Sequence, residues 1–79
     1  MAVLRLFASI RVAAGTGTVD LEGSTVGEII TAATQRFGND FAVQVPNCQL
    51  WLNGQATDLA TPVTATDEVA LLPPVSGGR

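Results

Sequence analysis

"STVGEIITAATQRFG" (residues 24–38) is the stretch whose reading decides the fold. Val26, Ile29, Ile30, Ala33 and Phe37 recur at helical spacing and make one apolar stripe. Thr25 followed by Glu28 fits a capping box, in which each side chain satisfies a free backbone N–H of the first turn. Arg36 lies in the last turn, where a cation suits the helix dipole. Gly38 can close the helix, and Gly27 weakens its first turn slightly. The spacing therefore predicts one helix, and what flanks it decides the architecture.

On the N-terminal side lie two alternating segments. In "AVLRLFA" (2–8), Leu4 and Leu6 face one way and Val3, Arg5 and Phe7 the other, as in a strand. "TVDLE" (18–22) turns Val19 and Leu21 inward and Asp20 outward. "SIRVAAGTG" (9–17) reads as a loop, so the two strands are expected to form a hairpin.

On the C-terminal side, residues 39–47 read as irregular and contain Pro46. "CQLWL" (48–52) alternates again, with Leu50 and Leu52 opposite Gln49 and Trp51. Asn53-Gly54 is a tight-turn signal, and a short strand near 55–57 returns from it. A loop with Pro62 follows. "EVALL" (68–72) is the last strand, with Val69 and Leu71 inward, and Pro73 ends it. The expected class is α+β: a mixed sheet of four to five strands, one main helix on one face, and an extended tail. Residues 1–72 form the domain and 73–79 the tail.

One helix covers one face of a sheet. The other face would carry Val3, Arg5, Phe7, Trp51, Ala70 and Leu72. Either these residues are scattered or covered by a loop, or they form a protein-binding face, because contiguous apolar patches on small monomers usually have a use.

Composition narrows the function. Seventy-nine residues make one small domain, and 47% hydrophobic content argues against disorder. A net charge of −3 with four scattered arginines (Arg5, Arg11, Arg36, Arg79) disfavours nucleic acid. Histidine is absent and Cys48 is the only cysteine, which excludes the usual zinc ligand set and Ser-His or Cys-His nucleophile pairs. Cys48, in an apolar run, is read as a buried, inert thiol. No apolar run approaches the roughly 20 residues of a membrane span. No secretion signal is visible either, so a cytoplasmic location is expected.

The chain closes on "LLPPVSGGR" (71–79). Pro73 and Pro74 favour an extended stalk with little entropy to lose. Gly77 and Gly78 add no side chains, so this end can enter a channel that any Cβ would obstruct. From Pro73 to Gly78 the reach is roughly 20 Å. The pattern suits delivery of a terminal carboxylate into another protein; an ordinary frayed terminus is the plain alternative.

Four segments, "FASIRVAAG" (7–15), "STVGEI" (24–29), "LNG" (52–54) and "DEVALLPPVSGG" (67–78), together resemble the MoaD/ThiS family of ubiquitin-like β-grasp sulfur carriers. The "PPVSGG" ending is similar to the branch that forms the small subunit of molybdopterin synthase. Residues 39–47 and 61–66 are less typical, and Thr66-Asp67 stands where the family usually has Gly-Asp.

The resemblance implies a carrier without catalytic side chains or an intrinsically bound cofactor. A ubiquitin-activating-type adenylyltransferase would use ATP and magnesium to join the Gly78 carboxylate to AMP. A sulfur donor would then displace AMP to leave a thiocarboxylate. The large synthase subunit would take the loaded tail. The resemblance places Phe7 and Leu72 at the family's docking positions and Arg11 at a recurrent arginine; Trp51 of the open face and Pro73, Pro74 and Val75 of the tail complete the expected partner-binding set. Arg11 would meet an acidic partner group or bond its own loop.

Arg79 departs from the family pattern, in which the active form ends at the second glycine. It implies a precursor trimmed by a protease, or an extension foreign to the working chain. Sulfur carriage for thiamine or cysteine synthesis, attachment to target lysines as a protein modifier, and a plain interaction module are the competing readings.

Overall fold

The computed structural model describes residues 1–74. Five strands form one mixed sheet: β1 (Ala2–Leu6), β2 (Thr18–Leu21), β3 (Gln49–Leu52), β4 (Gln55–Ala56) and β5 (Glu68–Leu72), in the order β2-β1-β5-β3-β4. β5 lies at the centre, parallel to β1 and antiparallel to β3. Three helices accompany the sheet: α1 (Ala8–Ala14), α2 (Val26–Phe37) and the single turn α3 (Asn39–Ala42). A 3₁₀ turn follows at Val45–Asn47. This is the expected mixed-sheet β-grasp, with more helix than the sequence announced.

The alternation assigned the strand faces correctly. Leu4 pairs with Val69 and Val19, and Leu6 with Leu71, and all of these are buried. Leu50 and Leu52 pack against the same core. From α2, Val26, Ile29, Ile30 and Ala33 are buried over the sheet, with Phe37 packed at the margin.

Three local expectations are corrected. Residues 9–17 are not a loop, because α1 occupies Ala8–Ala14. Its Ile10 is fully buried, and Gly15 closes it at φ +76° with its N–H on the Arg11 and Val12 carbonyls. β1 and β2 are antiparallel neighbours as expected, but α1 joins them and no tight hairpin exists. The 39–47 segment is also not irregular: it folds as α3 and the 3₁₀ turn around Phe41, which is 0% exposed and lies 5.2 Å from the Phe37 ring.

β1 also ends at Leu6 rather than running to residue 8. Phe7 is the last extended residue, at φ −131° and ψ 157°, and Ala8 then takes φ +52°. That left-handed conformation strains a residue with a Cβ by about 1–2 kcal/mol. Ala8→Gly is therefore expected to raise the unfolding free energy, by about 1 kcal/mol after glycine's larger entropy loss on folding. Urea unfolding checks this, and a lower midpoint would contradict the strain.

The first turn of α2 is fully satisfied. Thr25 Oγ1 accepts from Glu28 N–H at 3.1 Å, as the capping box requires. Glu28 returns its carboxylate to the Ser24 N–H at 2.7 Å, one residue earlier than a strict box would place it. The Val26 and Gly27 N–H groups donate to the carbonyls of Thr61 and Leu59, each at 2.9 Å. This explains Gly27: a Cβ there would stand 3.0 Å from the Leu59 carbonyl oxygen. The glycine that weakens the helix lets the 57–63 loop close over its end.

A candidate docking face and the root of the tail

The register of the central strands builds the uncovered face row by row. Arg5 stands opposite Ala70 and Thr18; Ala70 stands opposite Trp51, and Trp51 opposite Ala56. Toward one end, Val3 sits between Asp20 and Glu68. Toward the other, Leu72 sits opposite Gln49, and Phe7 follows Leu6 at the same end of β1. Val3, Arg5, Trp51, Ala70 and Leu72 thus share the face that alternation assigned them. Phe7 is beside them as the extended residue before α1, 40% exposed.

The face is divided. Its polar end holds Asp20 and the Arg5–Glu68 ion pair, 3.3 Å apart with both side chains about half exposed. Such an exposed pair contributes well under about 1 kcal/mol to stability. Its apolar end holds Phe7 and Leu72, with Trp51 in the next row. Glu68 was missed among the face residues, although i, i+2 spacing from Ala70 points to it; Gln49 was placed on the Trp51 side of its strand but left out of the face. Trp51 is half-buried, and its indole N–H is enclosed without a hydrogen-bond partner among the described residues.

The tail leaves from the apolar end. β5 finishes at Leu72; Pro73 is half-buried and Pro74 exposed. Both prolines line a shallow cleft with Ser9, Val43, Gln44 and Asn47. Val75, Gly77, Gly78 and Arg79, which sequence reasoning also singled out, lie outside the described residues.

Arg11 lies on α1, exposed, with its stem against Gly17, whose Cβ would approach Arg11 Nε to 3.1 Å. The described residues offer its guanidinium no hydrogen bond or ion pair. Cys48 is only half-buried and precedes β3 rather than lying within it. Its thiol donates to the Gln44 carbonyl at 3.3 Å, and desolvation raises its pKa, which keeps it protonated and unreactive near neutrality. Among the described residues no group of three His, Cys, Asp or Glu side chains could hold a metal ion. None of the described helices is long and apolar enough to cross a membrane.

A polar clasp joins the start of β5 to the β3–β4 turn. Asn53 Nδ2 donates to Asp67 Oδ1 at 2.9 Å, and Asn53 Oδ1 accepts from the Glu68 N–H at 2.9 Å. The Asn53 N–H donates to the Glu68 carbonyl at 2.8 Å, and Thr64 N–H donates to Asp67 Oδ2 at 2.8 Å. The Asn53 amide first, and the Thr64 N–H second, lower the Asp67 pKa. Unfolded Asp67 therefore takes up a proton at a higher pH than folded Asp67 does. The clasp's contribution is whole above about pH 4, the unfolded value, and is lost as pH falls through the folded one. Asp67→Asn is expected to flatten the acid limb of a stability–pH profile; an unchanged limb would rule out this carboxylate as a contributor.

A five-stranded β-grasp sheet with helices on one face, and a central strand β5 that ends at Pro73-Pro74, defines a ubiquitin-like small protein. The ThiS family model matches residues 4–78, and the chain belongs to this family of ubiquitin-like small sulfur carriers and modifiers. It is 36% identical over 85 residues to small archaeal modifier protein 1 of Haloferax volcanii, covering 94% of this chain and 97% of that protein. The crystal structure of the H. volcanii protein matches the fold with a TM-score of 0.85 at 33% identity, covering 98% of each chain. A chain in the Helicobacter pylori complex of subunits 1 and 2 of molybdopterin-converting factor matches with a TM-score of 0.72 at 27% identity. That match covers 98% of this chain and 97% of the other.

Proposed function

We propose that this protein carries sulfur as a thiocarboxylate on Gly78 and serves as the small subunit of a molybdopterin synthase. The observation that carries the proposal is the coincidence of apolar docking surface and tail root: Phe7 and Leu72 flank the point where Pro73 and Pro74 leave the central strand. A partner seated on that end would receive the tail directly. The chemistry needs no side chain from this protein. A carboxylate resists nucleophiles because of its charge and its poor leaving group. Adenylation by a ubiquitin-activating-type enzyme, with ATP and magnesium, supplies AMP as the leaving group, and a sulfur donor displaces it. Arg79 holds the Gly78 carbonyl in a peptide bond, so a protease must remove it first. In a molybdopterin synthase, the large subunit would then pass the sulfur to its pterin substrate.

A second reading, attachment to lysines of other proteins, is favoured by the 36% identity to a protein named as a modifier. Intact mass spectrometry of the protein from its own cells tests the first reading. The expected species ends at Gly78 with one oxygen replaced by sulfur. Deletion of Gly77–Arg79 is expected to abolish ATP-dependent adenylation altogether, measured by pyrophosphate release with the activating enzyme. Retention of Arg79 on all functioning molecules would overturn both readings; lysine-linked conjugates without any thiocarboxylate would replace the first by the second.

A further inference from the structure

Asn53 and Gly54 form a two-residue turn in which both take positive φ, +52° and +83°, between the paired Leu52 and Gln55. An asparagine followed by glycine is open to intramolecular attack, because no Cβ shields the next amide nitrogen. The Gly54 nitrogen, losing its proton, bonds to Asn53 Cγ; the Cγ–Nδ2 bond breaks and the nitrogen leaves as ammonia. Water then opens the resulting five-membered imide at either carbonyl, leaving aspartate or isoaspartate. No oxidant, reductant or further reactant is consumed. Asn39 and Asn47 precede Asp40 and Cys48, so Asn53 is the only asparagine so placed.

In the folded protein this carboxamide is held at both of its atoms. Nδ2, the departing nitrogen, donates to Asp67, and Oδ1 accepts from the Glu68 N–H, each at 2.9 Å. Cγ can swing to the Gly54 nitrogen only after both bonds to the start of β5 have broken. Reaction also destroys the clasp. A carboxylate at position 53 has no proton to donate and sets negative oxygen against Asp67. Isoaspartate in addition lengthens the backbone of a turn that has room for two residues.

We propose that Asn53-Gly54 is a fold-gated deamidation site: closed while the clasp holds, open when the hairpin tip lifts or the chain unfolds, and irreversible once used. A chain that has been unfolded long enough is then permanently marked by a weakened junction between the hairpin and β5. The proposal concerns the folded domain alone and does not depend on the function proposed above.

The test compares deamidation of the full chain, native and in urea, at mildly alkaline pH, by peptide mass mapping. Conversion at Asn53 is expected to outpace that at Asn39 and Asn47 in urea and to slow about tenfold or more in the native protein, since reaction then waits on local opening. Asp67→Ala, which removes the acceptor of the leaving amide, is expected to speed native conversion several-fold while circular dichroism still reports a folded chain. Should that variant not fold, the wild-type rate followed through the urea transition should track the unfolded fraction. Asn53→Asp, mimicking one product, is expected to lower the melting temperature by about 4 °C or more. Equal native and denatured rates, conversion at Asn39 or Asn47 that keeps pace, or an unshifted melting temperature would overturn the proposal.

Discussion

Phe41→Ala is expected to remove about 3–5 kcal/mol of unfolding free energy. The ring is wholly enclosed, packs on Phe37 and sits on a helix of a single turn. Four residues of helix cannot sustain themselves, so α3 holds its place mainly through this side chain. A 79-residue domain has a total stability on the order of 4–12 kcal/mol. The variant therefore stands near its unfolding transition at ordinary temperature. Urea unfolding measures the loss, and Phe41→Leu, which keeps most of the volume, should cost far less. A loss below about 1 kcal/mol for the alanine variant would mean that the pocket collapses around it.

Under the proposed function, Phe7→Asp is expected to weaken binding to an activating enzyme and to a large synthase subunit by about 10–100-fold, or about 1.4–2.8 kcal/mol. Phe7 lies outside the buried core cluster, so the variant should stay folded, with a melting temperature lowered only by the loss of the ring's partial burial. Its exposed ring at the tail root is instead the apolar surface a partner would desolvate. Calorimetric titration reads the effect. Val12→Asp is the control: Val12 is also apolar and 80% exposed, but on α1 rather than on the sheet. If both substitutions weaken binding alike, or neither does, the sheet face is not the docking site.

The legible parts of the sequence were those with a repeating period. Alternation in 2–8, 18–22, 48–52 and 68–72 gave the strands and their faces, the first three running one or two residues too long, and the capped stripe at 24–38 gave α2. α1 and α3 escaped because each is short and tied down by one buried residue, Ile10 or Phe41, and one residue makes no period. The end of β1 was overrun because Phe7 remains extended, and only the left-handed Ala8 turns the chain. Most of the uncovered face could be written down in advance, since strand parity fixes it. The Asn53–Asp67 clasp could not, because it joins residues 14 apart whose meeting depends on β5 lying next to β3.

The central position of β5 has a mechanical consequence. A partner that grips the chain beyond Pro73 and tugs would load this strand along its length, between ladders on both sides. That is shear: the bonds of both ladders resist together, whereas a strand at the rim would unzip one bond at a time. A terminus drawn into a neighbour would thus leave the domain behind it intact as an anchor.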